Sequence, residues 1–253
     1  LQESEAFRQQ MFTPENNNPI LPMLFVTIAC GILSGFHATQ SPIIARTMAH
    51  ENQARSSFYG MMVVEGLIGM IWAAAGLAIY NLYPELMGKD PTVALKSITD
   101  HFLGTGVGAV TVISVIILAI TSGDTAMRSL RLSLGEMCSV PQKQIRNRLL
   151  LCLPLIVVVS LLLWWSNLSA STFKQLWNYF AWGNQVLAAC TLTAATVWLT
   201  AQRKPGWITA LPGAFMIFIV TTYILWISPE HGGPVGFGME LKHAYLVARS
   251  WPP

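Results

Sequence analysis

The sequence predicts an all-α integral membrane protein with about six transmembrane helices. Hydrophobic residues make up 53% of the 253 residues and charged residues only 11%, whereas a soluble domain carries roughly 25% charged residues. The apolar residues form long runs, and a run of about 18 residues or more is long enough to cross a bilayer. Because the runs lack the alternation typical of barrel strands, helices are the structure that satisfies their backbone groups in lipid.

Six apolar runs define the predicted organisation. The transmembrane domain is expected at residues 20–227, between an external loop at residues 1–19 and an external tail at residues 228–253. Its helices are expected near residues 20–36, 58–80, 104–121, 149–165, 176–200 and 208–227.

Basic residues predict the orientation of these helices. They gather in the connections after the first, third and fifth helices, and Lys and Arg in short loops mark the cytoplasmic side. Both chain ends are then external. Because the sequence starts at Leu1 instead of a Met, we expect a fragment of a longer protein. The net charge of +3, without a long basic cluster, disfavours nucleic acid as a partner.

Two connections have the composition of short helices. Residues 91–102 carry apolar side chains at roughly helical spacing and are predicted to form an external helix, either a lid or a packing element. Residues 125–137 mix apolar side chains with Arg128 and Arg131, which is typical of a helix in the cytoplasmic interface. The four cysteines show no CxxC spacing, so neither a disulfide framework nor a metal site is indicated.

The most informative stretch is residues 31–48 (GILSGFHATQSPIIARTM), where polar residues interrupt an apolar helix. Gly35 permits unwinding and Pro42 suits the first turn of a new helix, so a break is predicted at residues 34–42, with Thr39 or Ser41 as the cap. Broken helices expose polar end groups that hold anionic substrates and coupling ions in transporters. The alternative is an ordinary helix end at the membrane surface. The candidate substrate-binding residues are Ser34, Gly35, Phe36, His37, Thr39, Gln40 and Ser41.

Two ionisable side chains lie in the predicted membrane region. The imidazole of His37 is able to exchange a proton near neutral pH, or it serves as a hydrogen-bonded spacer. Glu65 lies in the apolar segment FYGMMVVEGLIGMIW, where an ionised carboxylate without a partner is costly. We therefore expect Glu65 to face the bundle interior or a wet cavity, as a proton carrier, a cation partner or a structural hydrogen-bonding group.

Further polar groups occur in the third and fifth helices. Thr121, Ser122 and Asp124 bring two hydroxyls and a carboxylate together, and oxygen ligands suit a hard cation such as sodium, or a proton. Asp124 is equally placed to cap a helix at residues 125–137. In the fifth helix, amide and indole groups are expected to bond to neighbouring helices, with substrate contact as the alternative: Asn178, Trp182, Asn184 and Gln185.

Three motifs resemble the carbon starvation protein A family: SGFHATQSPIIARTM at residues 34–48, FYGMMVVEGLIGMIWAAAG at 58–76 and ITSGDTAMRSLRL at 120–132. The resemblance implies a multi-pass carrier of the bacterial inner membrane that is induced in carbon starvation and takes up peptides or pyruvate. It also implies the inverted-repeat, LeuT-type fold of amino acid–polyamine–organocation transporters. Five helices of this chain would form the second repeat, facing an absent N-terminal repeat, and one accessory helix would follow.

The leading functional hypothesis is secondary active uptake of a small anionic or zwitterionic nutrient, driven by protons or sodium and without a cofactor. The candidate ion-coupling residues are Glu65, Thr121, Ser122 and Asp124. A membrane-embedded nutrient sensor or scaffold that acts through the basic helix at residues 125–137 is the alternative, and a passive channel is a third hypothesis. The sequence contains none of the common catalytic fingerprints, so we do not expect an enzyme.

Overall fold

The computed structural model describes residues 19–27, 35–83, 91–229, 233 and 235–250. All regular secondary structure in these ranges is helical. A short 3-10 helix at Glu51–Gln53 and a π-helical turn at Arg55–Gly60 lead into the third α-helix. The α-helices are α1 (Ile20–Thr27), α2 (Gly35–Thr47), α3 (Met61–Leu82), α4 (Pro91–Met137), α5 (Ile145–Ser166), α6 (Ala170–Ala201), α7 (Trp207–Trp226) and α8 (Leu241–Ser250).

Four helical segments within the described ranges are long and apolar enough to cross a membrane: Glu51–Tyr80, Thr92–Met137, Ile145–Ser166 and Trp207–Trp226. The predicted all-α membrane architecture is therefore confirmed. The predicted count of six is not, because the run at residues 20–36 is described only in part and α6 is not among the four. α6 is 32 residues long, but buried amides interrupt its apolar sequence.

The chain divides into two compact units, residues 1–38 with 162–253 and residues 39–161. In the first unit, α6 and α7 form an antiparallel hairpin. The indole Nε1 of Trp182 donates to the Val220 carbonyl at 3.1 Å, and the Thr196 and Thr209 hydroxyls lie 2.8 Å apart near the connection. Side chains of α1 and α8 complete the core, which includes Val26, Ala181, Ile219, Tyr223, Trp226, Ile227, Leu241 and Ala244.

The tail at residues 228–253, to which the sequence assigned no role, contributes to this core. Backbone N–H groups of Phe237 and Met239 donate to carbonyls at the end of α7, at 3.1 and 2.8 Å. Such end carbonyls have no partner within their own helix. Gly236 permits the close approach, because a Cβ there would lie 2.4 Å from the Ile227 carbonyl oxygen. In α8, the Tyr245 hydroxyl donates to the Leu21 carbonyl, which ties the tail to α1.

In the second unit, the chain turns between two arms of α4 at Gly104, where φ is 74° and ψ is 166°. Glycine adopts this positive φ without a steric penalty. A Cβ on Gly108 would lie 3.0 Å from Asp100 Oδ1 and 3.2 Å from the Thr99 carbonyl oxygen. The arm before Gly104 therefore contacts the arm after it beside the turn, and the helix predicted at residues 91–102 is confirmed. Its role as a lid or a packing element stays a prediction.

The second arm of α4 differs from the prediction. It is helical from residue 105 to Met137, about 50 Å at 1.5 Å per residue, and so exceeds the roughly 30 Å hydrocarbon core. The predicted helix end at Thr121 and the separate interfacial helix at residues 125–137 are wrong. The apolar run stops there, but good helix formers follow, and Gly123 alone does not end a helix.

Hydrogen bonds join this arm of α4 to α2. Ser129 Oγ donates to the Thr39 carbonyl at 3.1 Å, and the Arg46 guanidinium lies 3.4 Å from Glu136 Oε1. The partners in both pairs are 90 residues apart, so the two helices run parallel.

Candidate functional site

α1 is described as Ile20–Thr27 and α2 as Gly35–Thr47, and residues 28–34 between them in the sequence lie outside the described ranges. The last four carbonyls and the first four N–H groups of an α-helix have no partner within that helix. Side chains of α6 bind one such group at each of these ends, the carbonyl of Phe25 and the N–H of Phe36.

Consecutive amide side chains make the two contacts. The Phe36 N–H donates to Asn184 Oδ1 at 2.9 Å, and Gln185 Nε2 donates to the Phe25 carbonyl at 2.8 Å. Asn184 is 9% exposed and Gln185 1%, so both bonds are shielded from water. Amides that interrupt one apolar helix thus satisfy the ends of two others.

Gly35 brings α2 close to α6. A Cβ at this buried position would lie 2.5 Å from the Asn184 carbonyl oxygen and 2.6 Å from Leu187 Cβ, both shorter than real contacts. Small buried residues share the face of α6 that carries Gln185, at the three- and four-residue spacing of one helix face: Ala181, Ala188 and Ala189.

The helix break predicted at residues 34–42 is wrong in the part that the structure describes. α2 is helical from Gly35 through Pro42 to Thr47, so the stretch predicted to unwind is helical in its described part. Pro42 lies inside the helix, where it removes one backbone hydrogen bond without ending α2. Thr39 and Ser41 are interior residues and do not cap the helix. Ser34 lies outside the described residues.

The remaining candidate substrate-binding residues are divided between the two units. Three belong to the first turn of α2 in the first unit: Gly35, Phe36 and His37. Three lie in the part of α2 that belongs to the second unit: Thr39, Gln40 and Ser41. All six are buried or half-buried, and ligand contact by any of them stays a prediction.

The candidate ion-coupling residues of α4 lie on a continuous helix. Thr121 Oγ1 donates to the Leu118 carbonyl at 2.9 Å. The predicted capping role of Asp124 is wrong, because Asp124 lies in the interior of the second arm of α4 and no helix begins directly after it. Its carboxylate pairs with Arg128 one turn later at 2.8 Å, with side chains 68% and 53% exposed. Ser122 is half-buried on the same turn. Cation binding by these residues stays a prediction.

Glu65 lies in the second unit, near the start of α3 and just after the π-helical turn. Its side chain is half-buried and has a polar partner. Among the residues that the structure describes, no group of three or more His, Cys, Asp or Glu side chains is placed to hold a metal ion.

Sequence reasoning left Asn184 and Gln185 out of the candidate site. It correctly predicted that they bond to other helices, and Trp182 does so as well. Their specific partners, the ends of α1 and α2, were not predicted. The sequence feature that indicates such contacts is a pair of adjacent amides in an apolar run, because each amide needs a hydrogen-bond partner within the protein when lipid offers none.

The helices define a multi-pass membrane protein whose best-defined polar feature is a pair of helix ends bound by buried amides. The sequence profile of the family described as carbon starvation protein CstA matches residues 2–107 and 91–223. The chain belongs to this family, as the three motifs predicted.

Relatives match only part of the chain. A protein of Haemophilus influenzae, described as an uncharacterized membrane protein, is 51% identical over 72 residues, which cover 28% of this chain and 19% of that protein. The peptide transporter CstA of Helicobacter pylori is 38% identical over 89 residues, or 32% of this chain and 13% of that protein. The pyruvate/proton symporter BtsT of Escherichia coli is 30% identical over 109 residues, or 34% and 15%.

These relatives are membrane proteins, and those with an assigned activity are transporters and not enzymes. Each match spans a fifth or less of the relative's own length. No solved structure matches the chain significantly.

Proposed function

We propose that this protein acts in secondary active import of a small carboxylate-bearing nutrient, a peptide or a pyruvate-like acid, across the bacterial inner membrane during carbon starvation. Family membership supports a transport role, and relatives are named for peptide transport and for pyruvate/proton symport. Peptides and pyruvate share one group, a carboxylate. A site that binds the carboxylate would therefore serve both kinds of substrate.

The observation that carries this proposal is the pair of α1 and α2 ends bound by Asn184 and Gln185. The N-terminal end of a helix carries partial positive charge and favours an anion, so the first turn of α2 suits the substrate carboxylate. The C-terminal end of a helix carries partial negative charge, so the end of α1 suits an ammonium group or a coupling cation.

The same proposal gives the fold a LeuT-type arrangement. The helices up to α6 form one repeat, α7 is the accessory helix, and a counterpart N-terminal repeat completes the substrate site. A proton or sodium gradient drives uptake. His37 and Glu65 are the proposed proton-responsive groups, and Thr121, Ser122 and Asp124 the proposed cation ligands. A broken helix that presents both ends to substrate is the common element of such transporters.

Uptake into proteoliposomes tests the proposal. The protein, expressed from its complete gene, is reconstituted, and the accumulation of radiolabelled pyruvate and of a labelled dipeptide is followed under imposed proton or sodium gradients. The proposal predicts accumulation above the external concentration under one of these gradients, with loss in the Glu65→Gln or His37→Ala variant. Equilibration without accumulation would indicate a passive channel. No entry of either compound would remove the support for transport.

A further inference from the structure

We propose that Asn184 and Gln185 act as a pair of positioning residues, here called the amide pair, that fixes the ends of α1 and α2 relative to α6 through hydrogen bonds of opposite polarity. The expected effect on uptake rests on the proposed function, whereas the two hydrogen bonds are independent of it.

The polarity of each contact follows from the backbone group that is bound. An N–H can only donate, so Asn184 must present its oxygen to Phe36, as it does at 2.9 Å. A carbonyl can only accept, so Gln185 must present its nitrogen to Phe25, as it does at 2.8 Å. One residue is therefore needed as an acceptor and the next as a donor, although both are amides.

The position of the amide pair links the two helix ends. Consecutive residues of an α-helix differ in height by only about 1.5 Å, so both ends are held at nearly the same level of α6. Any shift of this turn of α6 moves both attachment points together. The close approach of Gly35 to the Asn184 carbonyl fixes the distance between α2 and α6 as well.

Burial makes these bonds difficult to replace. Gln185 is 1% exposed, and its Oε1 is inaccessible to solvent and has no hydrogen-bond partner among the described residues. Water is therefore not available to take over the contact when a side chain is changed. Loss of one hydrogen bond at such a shielded position corresponds to about a 5-fold to 100-fold change in an equilibrium or rate.

Amide-to-acid substitutions separate the two roles. Asn184→Asp keeps an acceptor oxygen in either protonation state, so the Phe36 contact survives. Burial raises the pKa of a carboxyl group at this position, so Gln185→Glu is protonated at about pH 6 and presents one O–H donor to the Phe25 carbonyl. When it is ionised at alkaline pH, near about pH 10, it presents only acceptors and the contact is lost. Gln185→Leu and Asn184→Leu are the matched controls, because neither leucine forms the bond at any pH.

The test measures the uptake rate and the melting temperature of each variant at about pH 6 and about pH 10. Each rate is divided by the wild-type rate at the same pH, and each melting temperature is given as its difference from wild type at that pH. Asn178→Asp, which puts an acid on another buried position of α6, controls for the acid itself. We expect Asn184→Asp to stay within about twofold of wild type in uptake, and Asn184→Leu to fall about 5-fold or more. Gln185→Glu should stay within about twofold of wild type near pH 6 and fall about 5-fold or more near pH 10. Gln185→Leu should be about 5-fold or more below wild type at both pH values, and Asn178→Asp should not follow the pH pattern of Gln185→Glu.

Three results would contradict the proposed role of the amide pair: Gln185→Glu as defective as Gln185→Leu near pH 6, Asn184→Asp as defective as Asn184→Leu, or Gln185→Leu equal to wild type at either pH. The melting temperatures allow the same comparisons between variants, and they are measured without substrate. If the wild-type protein transports neither compound, that result counts against the proposed function. The melting temperatures of the variants at the two pH values still test the two hydrogen bonds.

Discussion

Replacing Gly35 by alanine probes the closest contact of the candidate site. The added Cβ would lie 2.5 Å from the Asn184 carbonyl oxygen, whereas ordinary contacts begin at 3.4 Å. The two helices must then separate locally by about 0.9 Å. That shift stretches the Phe36 N–H to Asn184 Oδ1 bond from 2.9 Å to about 3.8 Å, which is beyond hydrogen-bonding distance.

The magnitude follows from these two effects. Overpacking costs about 1–3 kcal/mol, and an unsatisfied buried N–H costs about 1–3 kcal/mol. The higher helix propensity of alanine offsets up to about 1 kcal/mol. The net loss of roughly 1–6 kcal/mol corresponds to a fall in melting temperature of about 2–24 °C for a chain of this size.

Thermal unfolding of the purified protein in detergent measures this effect, with Gly69→Ala in α3 as the control. A Cβ at Gly69 meets nothing within 4 Å, so the control should gain up to about 1 kcal/mol from helix propensity. If Gly35→Ala melts with the wild type or above it while the control behaves as expected, the close packing of α2 on α6 is refuted.

Three further substitutions test other parts of the structure. Asp124→Asn removes an exposed pair with Arg128 and should change the free energy of unfolding by less than about 0.5 kcal/mol, so a large loss of gradient-driven uptake would report ion coupling and not misfolding. Gly236→Ala should destabilise the protein by about 1–3 kcal/mol in chemical denaturation, because its Cβ would lie 2.4 Å from a backbone oxygen. Burial raises the pKa of Tyr245 from 10.0, so its contribution to stability is present below pH 10 and is lost as the pH rises through the raised pKa. Tyr245→Phe should lower the melting temperature at neutral pH, because the hydrogen bond to the Leu21 carbonyl is lost. Above about pH 10, the melting temperature of the variant should fall by less than that of the wild type. An equal fall in both proteins would show that Tyr245 does not contribute to alkaline unfolding.

Apolar runs were sufficient to predict the helical membrane architecture, because lipid excludes unsatisfied backbone over about 20 residues. The apolar runs did not predict where the helices end. The apolar run of α4 stops at Thr121, yet the helix continues to Met137, since leaving the apolar run does not disfavour helix formation. Helix α8 and its contact with α1 were also missed, because they depend on residues far apart in the chain, such as Tyr245 and Leu21.

At the candidate site, the sequence predicted the wrong local structure around Gly35 and Pro42. Gly35 was predicted to unwind the chain, but its role in the structure is close packing against α6 inside a helix. Pro42 was predicted to start a helix and lies within one. Composition cannot distinguish these uses, because glycine serves both purposes and the deciding contact, Asn184, is 149 positions away.

Protection of Cys30 from alkylation by bound substrate tests most directly the claim that the substrate binds next to the first turn of α2. In the sequence, Cys30 lies between the described parts of α1 and α2, and the other cysteines, Cys138, Cys152 and Cys190, are replaced by serine. The rate of alkylation by a membrane-permeant maleimide is measured in proteoliposomes with and without saturating pyruvate or dipeptide. The account predicts that the transported compound slows labelling of Cys30 at least about fivefold, while a compound that is not transported leaves it unchanged. An unchanged rate under conditions in which the same vesicles accumulate substrate would contradict the account.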